Sequence, residues 1–245
     1  MAAGAAAEPV RIAILGTGRM ARAISEAAAG QVEVEIASLV GPQPPDWDTG
    51  IAWHARLGEL ASAPDLLIDF SLPAGTDAAA DWCGEREIPL LSGVTGLPDG
   101  VRAKLARAAQ RVPVLWSANL SLGVNLLAEL AGRAAAVVDA TAPVVIDDLH
   151  HQWKKDAPSG TALMLGSVIA TVRDGDDSGI DYRSRREGEY IGEHTITFHM
   201  AGEEISLVHR AHDRAIYALG ALQAGRWLVS QPAGLYAARD WLAQR

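Results

Sequence analysis

Apolar positions along the chain change period in a regular way. Val10 to Leu15 (VRIAIL) is a short, β-branched run that predicts a buried strand, and the alanine-rich stretch after it, to Ala29, has helical spacing. A second strand is expected at Val32 to Val40, a Pro-rich loop at Gly41 to Gly50, and a buried strand at Leu66 to Phe70. Helix from Ala74 to Glu87, strand from Ile88 to Leu91, helix from Pro98 to Arg111 and strand from Val114 to Trp116 continue the alternation. Strands alternating with helices predict a parallel sheet wound on both faces.

Beyond residue 120 the pattern changes. Ser121 to Val138 is helical, with Leu122, Leu126, Leu130 and Ala134 four apart. Pro143 to Leu149 reads as a strand and Pro158 to Val172 as a helix, with Pro158 in its first turn. A polar loop from Arg173 to Ser178 leads to strand-like alternation at His194 to Met200 and Ile205 to Arg210. Ala215 to Val229 is helical again, and Leu235 to Leu242 reads as a last short helix. The fold class is therefore α/β, a Rossmann-like doubly wound parallel sheet with a second α+β domain on a mixed or antiparallel sheet. Residues 1–120 with 214–245 are expected to form one domain, and 121–213 the other.

Composition narrows the function. The chain has 245 residues, of which 49% are hydrophobic and 21% charged, as in ordinary globular domains. A formal net charge of -9 argues against a nucleic-acid partner, so local clusters of basic residues are aimed at small anions. The single cysteine, Cys83, excludes an internal disulfide and lies in an apolar helical pattern that suits a core position. Met1 to Ala7 lacks a basic and then apolar leader pattern and reads as a frayed tail, and no apolar run reaches membrane-spanning length. A cytoplasmic location is expected.

Two stretches carry chemistry. Gly16-Thr17-Gly18-Arg19-Met20-Ala21 follows the first strand and opens a helix, the context in which a glycine turn holds a pyrophosphate on helix amides. About 20 residues later, where an acid would grip the ribose hydroxyls of NAD, stand Ser38, Leu39, Val40 and Gly41. With no carboxylate there, and with Arg19 able to meet a 2′-phosphate, the expected cofactor is NADPH or NADH with a lean to NADPH or dual use. Gly93-Val94-Thr95 and Ser117-Ala118-Asn119-Leu120 fall at strand C-termini and are expected to line the nicotinamide half. The second stretch, Leu149 to Ala162, reads LHHQWKKDAPSGTA and combines titratable His150, His151 and Lys154 with Gly160 and Thr161 at a helix start suited to a carboxylate. A metal site built on His150, His151, His194 and His199 is disfavoured, because neighbours on a strand point to opposite faces; no metal is expected.

This second stretch resembles the signature of the 4-hydroxy-tetrahydrodipicolinate reductases, the dihydrodipicolinate reductases of diaminopimelate and lysine synthesis: two histidines, two spacers, lysine, one spacer, then DAPSGTA. The likeness runs from about Val10 to Leu242 and includes Gly93 to Gly96, Ala118 to Asn125, Gly192 to Thr195 and His209 to Ala211. It implies that His150 and Lys154 are the catalytic, proton-handling pair and that His151, Gly160 and Thr161 bind substrate, a small dicarboxylate reduced with a nicotinamide cofactor. Family members assemble as tetramers through the second sheet. Here the glycine turn is one residue shorter than the commonest family spacing, and about a strand's worth of residues is missing between Tyr182 and Gly192. A homo-oligomer is expected, with a dimer or rearranged tetramer left open. Two alternatives stay beside the lysine-pathway reductase: a reductase of another cyclic imine or enamine carboxylate, and a non-catalytic nicotinamide-binding protein.

Overall fold

The computed structural model describes residues 8–173, 175 and 179–244. The tail assigned to Met1 to Ala7 and most of the loop assigned between Arg173 and Ser178 lie outside the described residues. The chain divides into two compact units, Met1–Leu120 with Tyr217–Arg245, and Ser121–Ile216.

The first unit is built on a seven-stranded sheet, all of whose pairings are parallel. In chain order it contains β1 (Val10–Leu15), α1 (Arg19–Ala28), β2 (Val34–Val40), β3 (Ala52–His54), β4 (Leu66–Asp69), α2 (Pro73–Arg86), β5 (Leu90–Ser92), α3 (Asp99–Ala108) and β6 (Pro113–Trp116). The chain returns to this unit along α6 (Ala215–Val229) and continues with β11 (Gly234–Tyr236) and α7 (Ala238–Leu242). The strand order β11-β6-β5-β4-β1-β2-β3 reverses direction at β1 and β4, so the crevice beyond their C-termini is the switch point where such sheets bind ligands.

Both faces of this sheet are covered, which is why its strands are near-continuous apolar runs. Ala13, Leu15, Leu67, Leu90 and Val114 pack with Ala79, Ala80 and Cys83 of α2 and Leu105 of α3. Their strand neighbours Ile12, Ile14, Leu66, Ile68 and Leu91 are fully buried on the other face. Each such side chain contributes about 1.5–3 kcal/mol relative to exposure. Burial also pushes the Cys83 thiol well above the ordinary range, so it is a core group and not a reactive one.

The second unit contains α4 (Leu122–Val137), β7 (Val144–His150), α5 (Gly160–Val172), β8 (Ile180–Arg186), β9 (Gly192–Met200) and β10 (Glu203–Ala211). Its sheet runs β10-β9-β7-β8, with β7 parallel to β8 and antiparallel to β9. Leu127, Ala131 and Ala135 of α4 and Ala162, Leu165 and Ile169 of α5 cover one face, over Val144, Ile146, Ile196 and Phe198.

The structure corrects several expectations. The second strand starts at Val34, where pairing with Val10 begins, and Val32 is 82% exposed in the turn before it. β3 was invisible among prolines and is held by pairing with Ser38–Val40. In α4 the four-spaced Leu126 and Leu130 face solvent in this chain, and the buried stripe is Val124, Leu127, Ala128, Ala131 and Ala135. Pro158 is not in the first turn of α5: Ser159 is the N-cap, its Oγ accepting from the Ala162 amide at 3.1 Å, so the helix starts at Gly160. The charged strand β8 was missed altogether. The expected last helix is partly strand, because Gly234–Tyr236 pairs with β6 before Asp240 takes the Ala237 amide at 2.7 Å and α7 begins.

Candidate functional site

In the first unit the predicted cofactor residues collect at the C-terminal edge of the sheet. β1 ends at Leu15, and the chain turns through Gly16, whose amide donates to Val40 O at 2.8 Å. Gly16 has φ +113, and a Cβ there would lie 2.8 Å from Phe70 O, so only glycine fits without strain. Gly18 is the N-cap of α1 and a Cβ on it would meet nothing within 4 Å. A turn that admits no side chain at Gly16, followed by open space before helix amides at Gly18, fits a bound pyrophosphate. Thr17 and Met20 are half-buried and Arg19 is exposed at the same turn.

Gly93, Val94 and Thr95 follow β5, two strands from β1, and Ser117 to Leu120 follow β6. Val94 and Leu120 are buried. The first turn is braced by Trp116 Nε1 donating to Val94 O at 2.9 Å, and the second by Ser117 Oγ donating to Asn119 O at 2.7 Å. Beneath them the buried Asp69 carboxylate accepts from Ser71, Thr76 and Ser92 hydroxyls at 2.6–2.9 Å.

In the second unit, strand period two explains the site. Val144 and Ile146 point into the core, so Asp148 and His150 continue on the same face as the apolar core gives way to polar groups. Sheet register sets their neighbours: Asp148 lies opposite His194 of β9 and beside Ser184 of β8, and His150 lies beside Arg186. Asp148, His150 and His194 are all buried.

Asp148 Oδ2 accepts from Arg186 Nη2 and from the Ser159 amide, both at 2.8 Å. Oδ1 lies 2.9 Å from His150 Nδ1 and 3.4 Å from His194 Nε2. Burial alone would raise the Asp148 pKa, but His150, His194, Arg186 and the Ser159 amide together hold it well below the usual carboxylate range. These three residues bring ligand atoms within 4.8 Å of one another, the one group among the described residues with metal-ligand spacing. The Arg186 guanidinium already balances the carboxylate charge that a cation would need.

The other predicted residues converge on the end of β7. His151 follows His150, its amide donating to Tyr190 O at 2.8 Å, and its ring lies against Trp153. Loss of solvent, then the positive charges of Arg214, His150, Lys154 and Arg186, hold His151 below the ordinary histidine pKa. Lys154 folds back through its amide to His151 O at 3.1 Å, and its Nζ pairs with Asp156 Oδ2 at 2.8 Å. Gly160 and Thr161 open α5 directly after Ser159, whose amide is fixed on Asp148, and a Cβ at Gly160 would meet nothing within 4 Å. The short crossover at residues 187–191 is bonded along this strand end, Glu187 N to His150 O at 2.9 Å and Gln152 N to Gly188 O at 3.2 Å.

The sequence reading missed Asp148, Arg186 and Arg214 as parts of this site, and it had Ser159 and Gly192 within its motifs without giving either a role. Asp148 could have been found, since residues i and i+2 of a strand share a face. Nothing in the sequence pairs Arg186 with it, because that contact depends on the parallel register of β7 and β8.

Comparison with known proteins follows this division. Residues 10–120 match the family described as dihydrodipicolinate reductase, N-terminus, and residues 123–242 match its C-terminus. A 4-hydroxy-tetrahydrodipicolinate reductase of Xanthomonas euvesicatoria pv. vesicatoria is 41% identical over 236 residues, covering 94% of this chain and 97% of the relative. One from Stenotrophomonas maltophilia is 43% identical over 240 residues, covering 96% and 98%. Among solved structures, a dipicolinate-bound dihydrodipicolinate reductase from Paenisporosarcina sp. TG-14 shares the fold with a TM-score of 0.82 at 22% identity, covering 94% of this chain and 97% of that one.

Proposed function

The chain belongs to the dihydrodipicolinate reductase family, and from that premise we propose how its residues divide the work of an NAD(P)H-dependent reductase in diaminopimelate and lysine synthesis. The reaction is the reduction of 4-hydroxy-tetrahydrodipicolinate, by way of dihydrodipicolinate, to tetrahydrodipicolinate. The observation that carries this reading is the near-full-length match to curated reductases of that name, together with the complete set His150, His151, Lys154, Gly160 and Thr161.

When bound, the nicotinamide supplies the hydride. The residues of this chain do the rest. Gly16, Thr17, Gly18, Arg19 and Met20 seat the pyrophosphate and adenosine side, and the backbones at Gly93, Val94, Thr95 and Ser117 to Leu120 border the nicotinamide. Gly160 and Thr161 hold a substrate carboxylate at the positive end of α5. His151, kept neutral near physiological pH, offers the substrate a hydrogen bond without adding charge. His150 and Lys154 hold and move the proton that reaches the ring carbon next to the one receiving hydride.

Arg19 and the lack of an acid at Ser38 to Gly41 favour NADPH, or use of both cofactors. We assign the protein to the cytoplasm and expect a homo-oligomer; among the described residues no helix is long and apolar enough to cross a membrane. The deciding experiment supplies freshly made substrate from dihydrodipicolinate synthase and follows nicotinamide absorbance with NADH and NADPH side by side. Turnover is expected. A protein that binds cofactor yet reduces nothing overturns the reading and favours the second one, another cyclic imine or enamine carboxylate, to which the short crossover at residues 187–191 beside His150 would point.

A further inference from the structure

The Asp148 carboxylate has two unlike sides. Oδ2 is filled by donors, Arg186 Nη2 and the Ser159 amide at 2.8 Å and Ser184 Oγ at 3.4 Å. Oδ1 receives no aligned hydrogen bond, yet His150 Nδ1 stands 2.9 Å away. An oxygen lone pair and an unprotonated imidazole nitrogen at that distance would repel each other in a site from which water is excluded. Contact without repulsion requires the proton on Nδ1. Bent contacts of this kind are common in unliganded active sites and straighten when substrate binds.

The opposite nitrogen has a different surrounding. His150 Nε2 lies beside the Cα of Gly192, where a side chain would come within 2.9 Å of it. Lys154, the other member of the pair, is paired with the exposed Asp156. Of the two, His150 is the one with a buried, charge-balanced carboxylate behind it, which His194 Nε2 also approaches, more distantly, at 3.4 Å.

We propose that Asp148 is a positioning residue for His150: its carboxylate holds the neutral imidazole as the Nδ1–H tautomer, so that Nε2 is the nitrogen at which the proton of the reaction is gained and lost. Arg186 keeps that carboxylate ionised and fixed in rotation. On accepting a proton at Nε2, His150 becomes an imidazolium facing a carboxylate, and on giving it up it returns to the Nδ1–H form with Asp148 unchanged. The inference rests on the reading of His150 as a proton-handling group in the reductase.

The test uses the full-length protein labelled with ¹⁵N-histidine, with long-range ¹H–¹⁵N correlation spectra recorded at mildly alkaline pH and His150 assigned through His150→Gln. The expected spectrum shows the Nδ1–H tautomer for His150. In Asp148→Asn the Arg186 and Ser159 donors hold the amide oxygen, so the amide NH₂ faces His150 Nδ1 and the tautomer switches to Nε2–H. That variant is expected to lose kcat by about 100-fold or more, with KM and cofactor Kd within about threefold, as removal of an orienting carboxylate does in other proton-transfer sites. An Nε2–H tautomer in the unaltered protein overturns the proposal even if the variant fails to fold. A folded Asp148→Asn protein with kcat within about threefold of normal, or with the tautomer unchanged, also overturns it. An unaltered protein that is inactive on the pathway substrate overturns the functional reading, while its spectrum still decides this one.

Discussion

Gly192 and His150 occupy adjoining space so closely that a methyl group on Gly192 would lie 2.9 Å from His150 Nε2 and 3.4 Å from Cδ2. Gly192 begins β9, and its φ lies outside the left-handed region, so the glycine is needed for room and not for backbone freedom. Gly192→Ala is expected to tilt the imidazole and lower kcat about 10- to 100-fold, the scale of a misplaced catalytic group. Substrate KM should change far less. Steady-state kinetics checks this, with thermal unfolding as the control for stability.

Lys154 carries a second prediction. Its ammonium is paired with Asp156 at 2.8 Å, and the proposed function gives it a role in proton transfer and none in holding the cofactor. Lys154→Ala should therefore lose about 100-fold or more in kcat while NADPH binding, read by fluorescence titration, stays normal. Near-normal turnover would remove Lys154 from the proton-handling pair.

The pH dependence of stability has a worked sign. His151 titrates below its unfolded value because of lost solvent and then Arg214, His150, Lys154 and Arg186; His209 does so because of burial and then His194 and His212. A base with a depressed folded pKa leaves the unfolded state holding more protons as pH drops. Stability from this source is complete above about pH 6.5 and is lost as pH falls through the lower folded values. Thermal unfolding should show a declining midpoint below about pH 6.5, and a His151→Gln, His209→Gln double variant should flatten that decline.

Arg19 tests cofactor choice. Arg19 is exposed at the start of α1 and no acid stands at the end of β2, and the proposed reading has it meet a 2′-phosphate. Arg19→Ala is expected to raise the KM for NADPH about 5- to 10-fold and leave that for NADH nearly unchanged, since a charge-assisted contact is worth about 1–2 kcal/mol. An equal rise with both cofactors would place Arg19 on the pyrophosphate they share, and no change with either would assign it to solvent; both overturn the 2′-phosphate role.

Legibility in the sequence followed the range of the forces involved. The strands β1, β4 and β6 were readable because burial on both sheet faces demands continuous apolar residues, and the glycine turn was readable because it is local. β8 was not, since Ile180–Arg186 lies at a sheet edge where Arg183 and Arg185 are exposed, and its place comes from pairing with β7 far away in sequence. The signature from His150 to Thr161 was visible as a motif. The support behind it was not: Asp148, His194 and Arg186 meet through strand register alone. Pro158 was misplaced in α5 because two residues there compete to start the helix, and the Ser159 cap decides.

Cys83 gives the molecule an unusual experimental convenience. It is the sole thiol in the chain, it is fully buried, and it belongs to the first of the two units. A thiol reagent in solution can react only when α2 separates from its sheet, so the labelling rate reports the opening of the cofactor-side unit by itself. Added NADPH should slow that labelling in proportion to its binding, while a ligand held only by the second unit should leave it unchanged.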